Sequence, residues 1–310
     1  MSVVEKAGAS VLKTNFSKKS KKKKDKDKAK EKTSAPVAAR TPETISLDFD
    51  RLSERGFYDP KDQSSQLALE LRAVKRRLLR RLGYLRASGD RQAFRTPGKQ
   101  RNLILVTSTR AGEGKTFTAT NLALSLALED NIETMLIDAD FARPKVRERL
   151  GLPPAAGLAD CMIDKACDID DIGWRTSDAP LHIIPEGARV ERPMDLFARA
   201  ETQRLLTDIG MSNADRLAII DAPPVLATTE AVVLAKFVDE IIFVVEANST
   251  PESAVAAAID ELIDVNPNVS IMLNRCQIGA GGAHYGSYEY YERADAATET
   301  PNPDNASNKE

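Results

Sequence analysis

The chain has no run of about 18 apolar residues, which is the length that a membrane-spanning helix needs. Its first residues, MSVVEKAGASVLKTNF, also lack the apolar block of a secretory signal. Cysteine is scarce as well: Cys161, Cys167 and Cys276 match no metal-ligand or redox spacing, and their odd number favours reduced thiols. These absences predict a cytoplasmic protein with free cysteines.

Charge is distributed unevenly along the chain. Residues 1–40 contain thirteen Lys and Arg against four Asp and Glu, so this stretch is near +9 and the remainder is near −11. Because like charges repel and periodic apolar residues are absent, we predict that residues 1–62 form a disordered, lysine-rich arm. The arm is either a solvated tail or a segment attracted to anionic lipid or to an acidic partner, and we expect no nucleic acid as a partner.

Residues 63–86 have the pattern of a basic amphipathic helix. Leucine and valine recur at helical spacing on one face, and arginine and lysine lie around them. We predict a surface helix that docks through its apolar face, with contact to a membrane or to another subunit as the alternatives. The apolar positions are Leu67, Leu71, Val74, Leu78 and Leu82.

Residues 100–275 alternate short β-rich runs with helical stretches. This alternation predicts an α/β fold, a doubly wound and mostly parallel sheet with helices on both faces. One helix has a clear start in Thr250, Pro251 and Glu252. We place the domain at residues 63–278 and a flexible tail at residues 279–310. The predicted strands are 103–106, 134–137, 181–184, 217–220, 241–245 and 269–273.

The first predicted strand runs directly into TSTRAGEGKTFTATNLALSLAL. The glycines of this P-loop NTPase pattern let backbone N–H groups turn towards phosphate oxygens at the positive end of the next helix. Lys115, expected to be exposed, would reach the β and γ phosphates, and the Thr116 hydroxyl would take a Mg²⁺ position. The glycine expected five residues before Gly114 is replaced by Thr109. The predicted nucleotide-binding residues are Gly112, Glu113, Gly114, Lys115, Thr116, Phe117 and Asn274.

Aspartates follow two other strands. TMLIDADFARP places Asp138 and Asp140 just past an apolar run, and RLAIIDAPPVL does the same with Asp221. Because parallel strands present their carboxyl ends at one edge, we expect these carboxylates beside the phosphate loop, where they suit Mg²⁺ and a nucleophile. The alternative for any one of them is a turn or helix cap. No NKxD-type guanine reader follows Asn274, so the predicted nucleotide is ATP.

Tyrosine is concentrated near the end of the chain. Four of the six tyrosines, Tyr285, Tyr288, Tyr290 and Tyr291, fall within seven residues, separated by glycine, serine and glutamate. A mobile segment of this kind can bring a phenol in line with a γ-phosphate, and an aspartate can take the phenol proton. We predict that these tyrosines accept phosphate, with anchoring of the tail by its rings as the alternative.

Several motifs together resemble one family. TRAGEGKT, MLIDADFARP and LAIIDAPPVLATTEA, followed by the tyrosine-rich tail, are similar to the bacterial tyrosine kinases of exopolysaccharide systems, and among them to the exosortase-associated tyrosine autokinases. The likeness covers roughly residues 65–291 and includes GLPPAAGLAD, PEG, RPMDLFA and VVEANSTPESAV. It implies an ATP-dependent protein-tyrosine autokinase that phosphorylates its tyrosine cluster in trans and regulates exopolysaccharide synthesis and export.

The resemblance also implies roles and partners. Lys115 and the pair Asp138 and Asp140 would be catalytic, while Thr116, Asp138 and Asp221 would hold Mg²⁺. The implied partners are an inner-membrane polysaccharide co-polymerase that activates the kinase, a tyrosine phosphatase and further copies of the chain. The protein would then be cytoplasmic and peripheral to the inner membrane through its partner.

Two positions depart from the family pattern. Ala142 replaces an arginine after the acidic pair, and Arg143 is close enough to reach the same place. In the helix 63–86, Leu69 stands at the acidic position of an oligomerisation pattern that continues with Arg72 and Lys75.

Two other functions stay open. A switch ATPase of the cell-division or partition kind shares the sheet, the phosphate loop and the strand-end aspartates. It typically has a lysine five residues before the phosphate-loop lysine, where this chain has Arg110. A non-catalytic scaffold of polysaccharide export is the other alternative, because motifs do not report rates.

Overall fold

The structure, a computed structural model, describes residues 42–84, 102–213 and 215–276. The predicted arm up to residue 41 and the predicted tyrosine cluster lie outside these residues. Among the helices in these three segments, none combines the length and the apolar character that crossing a bilayer requires.

A single sheet runs through the described residues, and it confirms the predicted α/β fold. Its eight strands are β1 (Glu43–Ile45), β2 (Leu103–Ser108), β3 (Glu133–Asp138), β4 (Trp174–Thr176), β5 (Leu181–Ile184), β6 (Arg216–Asp221), β7 (Glu240–Glu246) and β8 (Val269–Asn274). The order across the sheet is β1-β4-β5-β3-β6-β2-β7-β8, and every neighbouring pair except β4 with β5 is parallel. All six predicted strands are present. The two that were missed, β1 and β4, have three residues each and no apolar run.

Helices cover both faces of the sheet. Alternate residues of β2 point to opposite sides of the sheet. Ile104 and Val106 join the core under the helices 66–81 and 115–126, whereas Leu103 and Leu105 join the core under the helices 200–212, 230–235 and 252–263. The helix predicted after Thr250 begins at Glu252. In the described segments the helices are α1 (Phe49–Glu54), α2 (Gln66–Arg81), α3 (Lys115–Leu126), α4 (Val146–Leu150), α5 (Leu158–Ile163), α6 (Pro193–Phe197), α7 (Ala200–Ser212), α8 (Glu230–Ala235) and α9 (Glu252–Ile263).

The prediction of a disordered arm through residue 62 is wrong for residues 42–62. They form β1 and α1, and Asp48 caps α1 by accepting a backbone N–H from its first turn at 3.0 Å. Leu52 and Tyr58 are buried in the core, and the Tyr58 N–H donates to the side chain of Asn121 in α3 at 2.6 Å. The few apolar residues of this stretch are sufficient because they pack on the domain and need no core of their own.

Helix α2 docks through the predicted leucines, which face the core. Part of its basic face is used within the chain. The Lys75 ammonium contacts the Glu129 carboxylate at 2.7 Å and donates to the Ser125 carbonyl at 3.1 Å. One basic residue of the expected oligomerisation pattern therefore anchors its own domain, and Leu69, at the position of the missing acid, is exposed.

The expectation of three free thiols is wrong for two of them. Cys161 and Cys167 form a disulfide, whereas Cys276 is free and exposed. Helix α5 ends at Ile163, and a turn in which the Cys167 N–H donates to the Asp164 carbonyl at 3.1 Å folds the chain back. The two Cα atoms thereby come within 4.8 Å, a pairing set by the end of the helix and invisible in the spacing.

Two of the family motifs, GLPPAAGLAD and PEG, meet in one tight contact. Asp160 accepts the N–H groups of Gly157 and Ala188 at 2.8 and 3.1 Å. A Cβ atom on Gly157 would lie 2.1 Å from the Pro185 carbonyl oxygen, and one on Gly187 would lie 2.4 Å from the Asp160 carboxylate. The absence of a side chain at these two glycines therefore allows the two loops to pack against each other. Both motifs thus have a structural role.

An ionic cluster around the buried Arg216 lies at the amino ends of β3 and β6. The Arg216 guanidinium contacts the carboxylates of Asp170 at 2.6 Å and Glu133 at 3.3 Å, and Arg175 contacts Glu133 at 2.9 Å. The charges are mutually paired, which is the condition under which buried ions are tolerated.

Beside that cluster, His182 should make the protein less stable as the pH falls from 7.5 to 5.5. Its imidazole is fully buried with Nε2 2.7 Å from the Ile172 carbonyl oxygen, and burial lowers its pKa from 6.5 to about 4. The unfolded chain therefore binds more protons in this range. The contribution of His182 to the free energy of unfolding should fall by about 1 kcal/mol between pH 7.5 and pH 5.5.

Urea unfolding of the wild type and of His182→Asn at both pH values measures this contribution. Other groups also titrate in this pH range. The contribution of His182 is therefore the difference between the pH dependence of the free energy of unfolding in the wild type and that in His182→Asn. Identical pH dependences in the two proteins would contradict the neutral state of His182.

Candidate functional site

The phosphate loop joins β2 to α3 at the carboxyl edge of the sheet. Gly112 and Gly114 have φ angles of +96° and +99°, which only glycine adopts without strain. Gly114 is also needed for space, because a Cβ atom there would lie 2.0 Å from the amide nitrogen of Asn274. Thr109, where the general pattern has glycine, is buried and its φ is not positive, so a side chain is accepted at that position.

Two side chains hold this loop in place. The Asn274 amide, at the end of β8, donates to the Glu113 carbonyl at 2.8 Å. The buried Glu113 carboxylate accepts the N–H of Arg110 at 2.9 Å and the hydroxyl of Thr250. Glu113 was predicted to bind nucleotide as part of the loop, and its side chain is turned into the protein, where it braces the loop.

Lys115 lies among the predicted aspartates. Its ammonium is 2.7 Å from Asp140 and 3.7 Å from Asp221. Burial disfavours its charged form, but the negative charges of Asp221 and then Asp140 outweigh burial and raise the pKa of Lys115. The expectation of an exposed Lys115 is wrong, since only 7% of the residue is accessible. It is buried because three strand ends converge around it.

Asp138 and Asp221 are register partners on the neighbouring strands β3 and β6. Burial, and then the negative charge of Asp221, raise the pKa of Asp138 to about 8. Against this, Asp138 accepts three backbone N–H groups, from Asp140 at 3.1 Å, Lys145 at 2.9 Å and Val146 at 3.0 Å. Asp138 therefore positions Asp140 and the start of α4, the alternative role noted for a strand-end aspartate.

Asp221 is fully buried, and burial raises its pKa to about 6 although the Lys115 charge opposes the shift. Neither carboxylate oxygen has a hydrogen-bond partner of good geometry within the described segments. The Lys115 ammonium at 3.7 Å balances the charge of Asp221, and the carboxylate oxygens keep lone pairs for a cation or for water.

A cavity of about 490 Å³ opens over the phosphate loop. Of the predicted residues, Glu113, Asp138 and Asp221 do not line it. The predicted residues that do line it are Gly112, Gly114, Lys115, Thr116, Phe117, Asp140 and Asn274.

Five further residues line the cavity and were not predicted as site residues: Ala111, Arg143, Lys145, Arg149 and Arg275. Four of them are basic, and three lie just after the acidic pair. The only sequence hint was the position of Arg143 next to the missing family arginine.

The known proteins to which this chain is similar include tyrosine-protein kinases. The chain is 30% identical over 200 residues to the tyrosine-protein kinase CpsD of Streptococcus agalactiae, a match that covers 64% of this chain and 85% of that protein. It is 26% identical over 202 residues to the tyrosine-protein kinase YwqD of Bacillus subtilis, covering 65% of this chain and 82% of the relative. No protein-family model matches the chain.

Solved structures agree with these relatives. The VpsO kinase domain superposes with a TM-score of 0.54 at 26% identity, covering 69% of this chain and all of that domain. The kinase domain of the Escherichia coli tyrosine kinase ETK superposes with a TM-score of 0.59 at 20% identity, covering 79% and 92% of the two chains, which shows a shared fold.

We expect Gly114→Ala to weaken binding of a fluorescent adenine nucleotide more than Gly112→Ala does. Both glycines have positive φ, so each alanine carries a backbone cost of about 1–2 kcal/mol. A new methyl group at residue 112 enters open space, whereas at residue 114 it meets Asn274. We expect Kd values that differ by about tenfold between the variants in a fluorescence titration.

Circular dichroism of both variants serves as the control for folding. Equal losses of affinity would show that the Asn274 contact does not shape the loop.

Proposed function

This chain belongs to the bacterial protein-tyrosine kinase family, and we propose that it transfers the γ-phosphate of ATP to Tyr285, Tyr288, Tyr290 and Tyr291 of a neighbouring copy. The observation that carries this proposal is the buried Lys115 ammonium between Asp140 and Asp221, directly beneath a phosphate loop. A site for phosphoryl transfer has to neutralise phosphate charge, hold a cation and accept a proton.

The cavity suits a nucleotide. Its volume of about 490 Å³ lies within the range of small-molecule sites, and the amino end of the twelve-residue helix α3 opens into it. Lys115 is placed to meet the phosphates. ATP is favoured over GTP because the sequence after Asn274 lacks a guanine reader.

The residues at and behind the phosphate loop fit Mg²⁺. Thr116 lines the cavity, and Asp221, which does not line it, is buried beside Lys115 with neither carboxylate oxygen in a hydrogen bond of good geometry in the described segments. The described segments hold no group of three or more acidic, histidine or cysteine side chains that would bind a metal alone. That agrees with Mg²⁺, which commonly takes one or two carboxylates together with substrate phosphates and water. Bound there, Mg²⁺ would neutralise charge on the phosphates during transfer.

The proposed reaction is an in-line displacement. A phenol oxygen forms a bond to the γ-phosphorus of ATP, the bond from that phosphorus to the β–γ bridging oxygen breaks, and ADP leaves. The phenol proton passes to Asp140, the member of the acidic pair that lines the cavity. Asp138 holds Asp140 in place by accepting its backbone N–H at 3.1 Å.

The cellular setting is proposed from the family resemblance. We place the kinase in capsule or exopolysaccharide production, on the cytoplasmic side of the inner membrane and activated by a polysaccharide co-polymerase. A tyrosine phosphatase would reverse the modification. Phosphate groups of about −1.5 to −2 charge each would repel the tail from acidic surfaces and so change assembly.

Lys115→Ala should abolish the gain in intact mass that the wild type shows with Mg²⁺ and ATP. The loss of the ammonium removes the contact to the phosphates and leaves Asp140 and Asp221 without their cation. Because Lys115 is buried, a lower thermal midpoint is also expected, so Asp221→Asn is a second variant that keeps Lys115 paired with Asp140. It should reduce phosphorylation strongly through the loss of the metal ligand. Undiminished phosphorylation in both variants would overturn the assignment.

Transfer between copies is tested by mixing two full-length proteins. One carries Lys115→Ala and an intact tyrosine cluster; the other keeps Lys115 and has the four cluster tyrosines changed to phenylalanine. Phosphate should appear on tyrosines of the Lys115→Ala partner, and initial rates should rise more steeply than linearly with total protein while assembly limits them.

An unmodified Lys115→Ala partner, together with a wild-type specific rate that does not depend on concentration, would place transfer within one chain. Nucleotide binding without any phosphate transfer would favour the switch ATPase.

A further inference from the structure

The mouth of the cavity is basic. We define the basic rim as Arg143, Lys145, Arg149 and Arg275, all of which line the cavity. Lys115, at the base of the cavity, is the residue proposed to contact the nucleotide phosphates. The function of the four charges of the basic rim therefore has to be explained separately. They lie on two elements, the segment from β3 to α4 and the residue that follows β8.

Two members of the rim are neutralised and two are not. Lys145 pairs with Glu148 at 2.6 Å, and Arg275 pairs with Glu246 at 2.6 Å. Arg143 and Arg149 have no carboxylate within ion-pairing distance in the described segments. The Nε atom of Arg149 is buried and lacks a hydrogen-bond partner there.

The rim is fixed relative to the acidic pair. Asp140 accepts the N–H of Arg143 at 3.0 Å, and Asp138 accepts the N–H groups that start α4. The Arg149 carbonyl accepts from the Arg55 guanidinium at 2.9 Å. Arg143 and Arg149 are therefore held on a braced segment beside Asp140, the proposed acceptor of the phenol proton.

We propose that Arg143 and Arg149 bind the carboxylates that flank the cluster tyrosines of a second copy, so that the site prefers a tyrosine with neighbouring acidic residues. The inference rests on the proposed kinase function. Glu289 separates Tyr288 from Tyr290, and Glu292 follows Tyr291, so the cluster of a second copy carries such flanking acids. Arginine is suited to this task because its planar guanidinium binds a carboxylate through two parallel hydrogen bonds.

The competing use of these arginines is contact with the nucleotide phosphates. The two uses separate experimentally, because a peptide-selecting arginine changes the kinetics of the peptide and leaves nucleotide affinity unchanged. The readout is therefore kcat/KM for two peptides together with the Kd for a fluorescent ATP analogue.

The experiment uses full-length protein whose four cluster tyrosines are phenylalanine, so that only added peptide accepts phosphate. One peptide spans residues 283–294, and the other is the same with Glu289→Gln and Glu292→Gln. We expect the acidic peptide to be preferred about tenfold in kcat/KM at low salt, with the preference shrinking as salt rises. The double variant Arg143→Gln with Arg149→Gln should lose that preference while the Kd for nucleotide stays the same.

Arg204→Gln is the matched control, because Arg204 is an exposed arginine of α7 that does not line the cavity, and it should behave as the wild type. Equal use of both peptides by the wild type, or a double variant that weakens nucleotide binding and keeps the preference, would overturn the inference while leaving the kinase function in place. Failure of the wild type to phosphorylate either peptide while it binds nucleotide would overturn both.

Discussion

The buried ammonium of Lys115 is the charge on which the arrangement of the site depends. An unpaired ion in this position would cost several kcal/mol, so the surrounding strands must bring carboxylates to it. The order β3-β6-β2 does this, because it sets Asp140 and Asp221 beside the loop that follows β2. The topology of the sheet is thus a precondition for the electrostatics of the site.

Asp138 connects the site to its rim. Its carboxylate is enclosed by backbone N–H groups of Asp140, Lys145 and Val146, so it fixes both the second acid and the start of α4. Asp138, which the sequence predicts to be one of two catalytic aspartates, also sets the position of Arg143 and Arg149. Catalysis and the choice of substrate would then rest on one short segment, which makes the rim hard to change without disturbing the acids.

The stabilising charges lie at the other end of the strands. Glu133 and Arg216 are the first residues of β3 and β6, and they close an ionic cluster with Asp170 and Arg175. The carboxyl ends of the same strands carry Asp138 and Asp221, and burial raises the pKa of both carboxyl groups. The two edges of the sheet therefore differ in their electrostatics, with paired charges at the amino edge and neighbouring carboxyl groups at the carboxyl edge.

The sequence by itself determined the sheet, the phosphate loop and the meeting of three aspartates, because apolar runs and strand-end residues are local patterns and parallel strands share one edge. The sequence motifs were also sufficient to identify the family. Only the tertiary structure decided that residues 42–62 belong to the domain and that Cys161 meets Cys167. It also decided that the Glu113 side chain turns inward, that Lys115 is buried and that four basic residues line the cavity. Each of these depends on which distant segments pack together, and side-chain direction and burial are properties of that packing, which no short stretch of sequence contains.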